Sequence, residues 1–265
     1  MSIWASGSPY EAYVGRWSRP VAREFIPWLA VPDRSRWLDV GCGTGALSET
    51  ILRDSAPAEV TGIDASDGFL AHARAQIADA RATFQAADAQ ALPFEDARFD
   101  AAVSGLVLNF VPSPARALAE MTRVVRPGGA VAIYLWDYAG EMQLMRHFWD
   151  AAAALAPAAR ALDEGIRFPL CQPEPLETLF QDAGLGQVAI RAIDIPTVFR
   201  DFDDYWSPFL GAQGPAPSYV MSLSEPARHA LRERIRSQLP TEPDGSIRLL
   251  ARAWAARGTR RQDQA

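Results

Sequence analysis

Three acids and three glycines carry the chemistry legible in this chain. Asp39 stands inside the apolar run Trp37, Leu38 and Val40, which ends in Gly41, Gly43 and Gly45 within RWLDVGCGTGA over 36–46. Asp64 ends the β-branched stretch EVTGID, and Asp88 follows ATFQAA. Alternating glycines let a backbone adopt positive φ and come close to a ligand. A carboxylate just before such a turn repels a diphosphate but holds a cationic amine or its surrounding amides. A carboxylate at a strand end can accept both hydroxyls of a diol in charge-assisted hydrogen bonds. Taken as letters, Gly41, Gly43 and Ala46 also satisfy the G-x-G-x-x-G/A pattern of nicotinamide-dependent oxidoreductases, where a pyrophosphate rests on a helix N-terminus. Asp39 and Asp88 oppose that reading.

These residues need a scaffold that brings strand ends together. The run 37–40 reads as a buried strand, and Ala46, Leu47, Ile51 and Leu52 continue beyond the turn at helical spacing. Strand, glycine turn and helix make the first unit of a doubly wound α/β sheet, whose ligands sit beyond the carboxyl ends of the strands. The pattern repeats. Glu59–Asp64 is a strand, and Ser66 caps a helix through Phe69, Leu70, Ala73 and Ile77. Thr83–Ala87 is a third strand and Ala101–Ser104 a central fourth. Ser113 and Pro114 open a helix with Leu118, Met121, Val124 and Val125 on its buried face; Arg126–Gly129 (RPGG) ends it, and Ala130–Trp136 is the fifth strand.

WLDVGCGTG resembles the VLDxGCGTG hallmark of class I S-adenosylmethionine (SAM)-dependent methyltransferases. The LPF of Leu92–Phe94 and the order helix, RPGG, strand resemble the small-molecule branch of that family, the UbiE or methyltransferase-11 type, and the resemblance covers Trp37–Trp136 without a gap. It implies a Rossmann-like, seven-stranded doubly wound sheet with an N-terminal helical cap and helical insertions. The cofactor it implies is SAM, leaving S-adenosyl-L-homocysteine. The cofactor-binding residues expected from it are Asp39, Gly41, Cys42 and Gly43 at the turn, and Asp64 with Ala65 at the ribose. Asp88 is expected at the adenine amino group with the backbone of Ala89 beside it, and Ser104 beside the transferable methyl. Many relatives have histidine where Asn109 stands; an asparagine can orient a substrate but is not a useful base.

The flanks fit one methyltransferase domain over 1–265, divided into a cap (1–33), a SAM-binding core (34–137), a helical insertion (138–186) and two last strands (187–257). In the cap, Ser8 and Pro9 read as a helix start followed by Tyr10, Tyr13, Val14 and Trp17, and a second helix begins near Pro20. Tyr13, Trp17 and Ser18 are further cofactor candidates, although aromatics there serve core packing equally well. Asp137–Ala156 reads as helix, with Met142, Met145, Phe148 and Trp149 on its apolar face and His147 on or beside it. Leu176–Phe180 is a helix stopped at Gly184. Val188–Ile195 and Ile247–Ala255 are partner strands, and the insertion 196–245 between them is too long for a hairpin loop, hence a substrate lid or an oligomer contact. Gly258–Ala265 reads as a frayed tail.

A net charge of −6 and a pI near 5.2 give no long-range attraction to nucleic acid or to an anionic membrane. Every Lys+Arg position is arginine, which removes lysine chemistry. Cys42 and Cys171 make neither a disulfide framework nor a metal signature. With no signal peptide and no apolar run near 18 residues, a cytoplasmic protein is expected. The expected partner is a small-molecule acceptor, with a homo-oligomer as a further candidate. Its pocket is expected to use Tyr10, Asn109, Trp136, Tyr138, His147 and Trp206; the aromatics suggest an apolar or aromatic acceptor, methylated by in-line displacement. Asp137, Tyr138 and His147 are the candidate bases. The alternative within the same fold is a protein that binds SAM without transferring its methyl.

Overall fold

The computed structural model describes residues 11–211 and 214–262. Seven strands form one sheet: β1 (Arg36–Val40), β2 (Glu59–Asp64), β3 (Ala82–Ala86), β4 (Phe99–Gly105), β5 (Val125–Trp136), β6 (Gly186–Phe199) and β7 (Ile247–Thr259), in the order β3-β2-β1-β4-β5-β7-β6. β1 to β5 pair in parallel, and β7 pairs antiparallel with both β5 and β6. The core strands are buried on both faces, as near-continuous runs such as Ala101, Ala102 and Val103 require. The strand order reverses between β1 and β4, where Asp39 lies level with Gly62 of β2 and with Val103 of β4. The seven-stranded doubly wound fold is as the resemblance implied.

Helices cover both faces: α1 (Arg16–Leu29), α2 (Ala46–Asp54), α3 (Asp67–Gln76), α4 (Pro114–Val124), α5 (Gln143–Leu155), α6 (Pro173–Asp182), α7 (Phe202–Trp206), α8 (Pro215–Ser222) and α9 (Glu225–Gln238). The expected caps form. Ser66 Oγ accepts from Phe69 N and Ser113 Oγ from Arg116 N, and Gly184 closes α6 at φ +72°.

The cap differs from its sequence reading. A π-turn over Glu11–Gly15 runs straight into α1, because Gly15 keeps helical angles (φ −61°, ψ −34°), and no new helix starts at Pro20. An interior proline costs about 3 kcal/mol, and the fully buried Val21, Ala22 and Phe25 beyond it offset that loss. The expected helix start at Ser8 and Pro9 lies outside the described residues.

Two further corrections concern β5 and β7. RPGG is an irregularity within β5: Phe99 pairs with Val125, and the register resumes at Ala101 with Ala130. The expected tail is structured at its start, since Gly258 and Thr259 pair with Val131 and Ala130. Arg260 Nη1 then donates to the carbonyls of Arg123 and Val125, each at 2.7 Å, satisfying groups that the end of α4 leaves open. β6 runs on to Phe199, so the long insertion begins at Arg200. α5 starts only at Gln143, because Asp137 locks the preceding turn by accepting from Gly140 N (3.0 Å) and Glu141 N (2.9 Å). Among the described residues, no helix is long and apolar enough to cross a membrane.

Candidate active site

A cavity of about 680 Å³ opens at the carboxyl ends of β1 to β5, across the point where the strand order reverses. That size is typical of small-molecule sites, roughly 300–1,000 Å³, and the position is where open α/β sheets bind ligands. One part is built by the glycine turn and the ends of β1, β2 and β3. Gly41 (φ +73°), Gly43 (φ +52°) and Gly45 (φ +91°) all take left-handed angles, and a Cβ on Gly41 would come within 2.5 Å of Val107 Cγ1. Gly41 N and Cys42 N both donate to Ile63 O at 2.8 Å, which hangs the turn from the end of β2.

Asp39 is fully buried at the base of this turn. Its Oδ2 accepts from Ser48 Oγ at 2.6 Å, while its Oδ1 is buried with no hydrogen-bond partner. Burial raises its carboxyl from the ordinary range to about 7, against the hydrogen bond from Ser48. Asp64 is also raised by burial, although the N–H groups of Ser66 (2.8 Å) and Gly43 (3.0 Å) oppose the rise. Asp88 is held below its usual value by the N–H and side-chain amide of Gln90. The Cys42 thiol is pushed well up by burial and by the neighbouring Asp39 and Asp64, so it stays protonated. Three carboxylates line the cavity, and no arginine or histidine does among the described residues. An unpartnered buried carboxylate oxygen fits a cationic amine, and the spare lone pairs of Asp64 fit a diol. The residues present therefore fit SAM.

The other part of the cavity comes from the π-turn that leads into α1, the loop after β4, and the end of β5. Val14, Leu106, Val107, Phe110, Trp136 and Tyr138 line it. The Phe110 ring meets Phe168 edge-on at 5.0 Å, and Tyr138 lies 5.9 Å from the same ring.

Of the residues singled out from sequence, Asp39, Gly41, Cys42, Gly43, Asp64, Ala65, Asp88, Ala89, Ser18, Trp136 and Tyr138 line this cavity. The others do not. Ser104 is buried one position short of the lining Gly105, on the opposite side of the strand. Asn109 is drawn into the short 3₁₀ turn Leu108–Phe110. Tyr13 is buried and donates its hydroxyl to Met145 Sδ at 3.0 Å. Trp17 packs edge-on against Phe199 at 5.7 Å, and Trp206 stacks with Phe202. His147 is half-buried on α5, with desolvation pushing its imidazole down. Asp137 is committed to its turn and also accepts from Gln172 Nε2 at 3.0 Å. Tyr10 lies outside the described residues. Local spacing names a face, and packing against distant elements decides what that face meets.

Val14, Leu106, Val107, Phe110 and Tyr134 are lining residues that the sequence did not single out, and Tyr134 is the one with a polar group. It pairs with Gly105 across β4 and β5, and a Cβ on Gly105 would collide with its hydroxyl. Its signal was the alternation of Tyr134 and Trp136, which puts both on one face of β5.

Residues 38–133 match the family described as a methyltransferase domain. A malonyl-[acyl-carrier protein] O-methyltransferase of Pseudescherichia vulneris is 42% identical over 163 residues, 59% of this chain and 63% of that protein. A demethylmenaquinone methyltransferase of Roseiflexus castenholzii is 33% identical over 184 residues, 64% of this chain and 76% of that protein. The fold matches a Haemonchus contortus phosphoethanolamine N-methyltransferase 2 solved with S-adenosyl-L-methionine, at TM-score 0.61 and 17% identity, covering 95% of this chain and 56% of the other. With the three strand-end acids and the glycine turn in place, the chain belongs to the class I S-adenosylmethionine-dependent methyltransferases, in their methyltransferase-11 branch.

Proposed function

We propose that this protein transfers a methyl group from SAM to a small, neutral, apolar or aromatic acceptor by in-line displacement. The observation that carries the reading is the apolar wall of Val14, Leu106, Val107, Phe110 and Tyr138, in a cavity with no cationic side chain among its described lining residues. Bound SAM supplies an activated methyl on a positively charged sulfur. In this reading Asp39 meets the ammonium of its methionine part, Asp64 with Ala65 meets the ribose, and Asp88 with Ala89 meets the adenine.

The apolar wall acts by keeping water from the reacting groups, since water stabilises a sulfonium more than a charge-dispersed transition state. Alignment of the acceptor against Phe110 and Tyr138 supplies the remainder, by holding the nucleophile in line. The hydroxyls of Tyr134 and Tyr138 are the groups of this part able to hold a proton at the acceptor. Of the acceptors in the two relatives' names, a quinone ring suits this wall, whereas a malonyl carboxylate would lack a cationic partner there.

The test is an acceptor screen of the purified protein with SAM, reading S-adenosylhomocysteine and the methylated product by mass spectrometry. Turnover with hydroquinones or other neutral aromatics is expected. Turnover confined to carboxylate acceptors would overturn the proposal.

A further inference from the structure

No described residue beyond Tyr138 lines the cavity, those of the insertion that starts at Arg200 included. The insertion contacts the N-terminal arm instead. Arg16 opens α1 between Val14 and Ser18, both lining residues. Its Nη1 donates to Asp204 Oδ1 of α7 at 3.0 Å, across 188 positions of sequence. Its guanidinium carbon lies 4.6 Å from the centroid of the Trp17 ring and 4.7 Å from that of Phe199. Both Nε and Nη2 are buried with no hydrogen-bond partner, so these rings are what the rest of the guanidinium meets. Asp204 is preset for the contact: its Oδ2 accepts from Arg200 N at 3.0 Å, and its own N–H is held by Asp201 Oδ1 at 2.8 Å. One residue before the cavity wall begins, Tyr13 meets Phe209 of the same insertion edge-on at 5.3 Å. The far end of α1 is anchored separately, by Phe25 against Tyr134 of the sheet at 4.7 Å.

We propose that Arg16 and Asp204 form a latch through which the insertion holds the N-terminal arm across the SAM cavity, making both of them positioning residues for cofactor retention. The proposal rests on the reading of this cavity as the cofactor site. The insertion is thus a brace for the arm, and cofactor release requires the Arg16 contact to open. The planar guanidinium suits the slot between two rings and a carboxylate, whereas a lysine would keep the charge and lose the stacking.

Stopped-flow release of S-adenosylhomocysteine tests it, alongside steady-state kinetics and thermal melts of the ligand-free protein. Arg16→Ala is expected to speed release by about tenfold, the effect of losing one charge-assisted contact, and to raise KM for SAM with kcat little changed. Asp204→Asn should act in the same direction, and the double variant by less than the two single effects combined, because both weaken the shared Arg16–Asp204 contact. Arg16→Lys should fall between Arg16→Ala and the wild type while melting as the wild type does, which separates the latch from a loss of folding. Release unchanged within about twofold in both Arg16→Ala and Arg16→Lys would overturn the latch while leaving the cavity reading intact. Wild-type binding of S-adenosylhomocysteine insensitive to Asp64→Ala would instead remove the cavity reading, and the latch with it.

Discussion

The backbone N–H of Gly43 donates to Asp64 Oδ2 at 3.0 Å, tying the glycine turn after β1 to the last residue of β2. Asp64 Oδ1 accepts from Ser66 N at 2.8 Å, so the same carboxylate also sets the start of α3. Asp64 therefore shapes the turn, and the proposed ribose contact would draw on its remaining lone pairs.

Asp64→Ala removes a charge-assisted contact and slackens the turn at once. Its affinity for SAM should fall by about 2 kcal/mol or more, roughly thirtyfold in Kd. Calorimetry with unchanged affinity would refute the ribose role.

The proposed ammonium contact of Asp39 would link binding to pH. Burial raises its carboxyl to about 7, so the ligand-free protein carries the proton below that pH, while an ammonium ligand requires the carboxylate. Affinity for SAM should weaken as pH falls from 7 to 5, by at most about tenfold per unit, with close to one proton released on binding near pH 6. Calorimetry in buffers of different ionisation enthalpy measures that release. Asp39→Asn should bind SAM weakly and without the slope; an unaltered slope would assign the proton elsewhere.

Glu164 makes a stability prediction away from the cavity. It is 2% exposed, accepts from Trp149 Nε1, and is raised by burial from 4.5 to about 7. A raised carboxyl holds a proton in the folded state that the unfolded chain has released, so its contribution is complete below about pH 4.5 and lost as pH rises through about 7. Glu164→Gln should flatten the decline of Tm between pH 5 and 7. Parallel Tm curves for variant and wild type would show that Glu164 ionises as freely in the fold as in the unfolded chain.

Much of the part of the cavity that we assign to the cofactor was legible because its residues are local to strand ends. Asp39, Asp64 and Asp88 each follow a short apolar or β-branched run, and the glycines mark backbone angles that other residues avoid. The acceptor half was less legible. Trp17, Trp206 and His147 have the right composition for a pocket, yet Trp17 meets Phe199, Trp206 meets Phe202, and His147 lies on a helix away from the cavity. Aromatic side chains bury as readily against one another as against a ligand, so their type does not tell which they meet.

The sequence by itself determined the order of strands and helices from β1 through β5, the glycine turn and the acids beside it, because hydrophobic period and positive φ are local properties of the chain. Tertiary structure alone decided that β7 enters between β5 and β6, that Tyr134 crosses Gly105, and that Arg16 meets Asp204. Those contacts join residues far apart along the chain, and no local spacing encodes which distant face will bury which side chain.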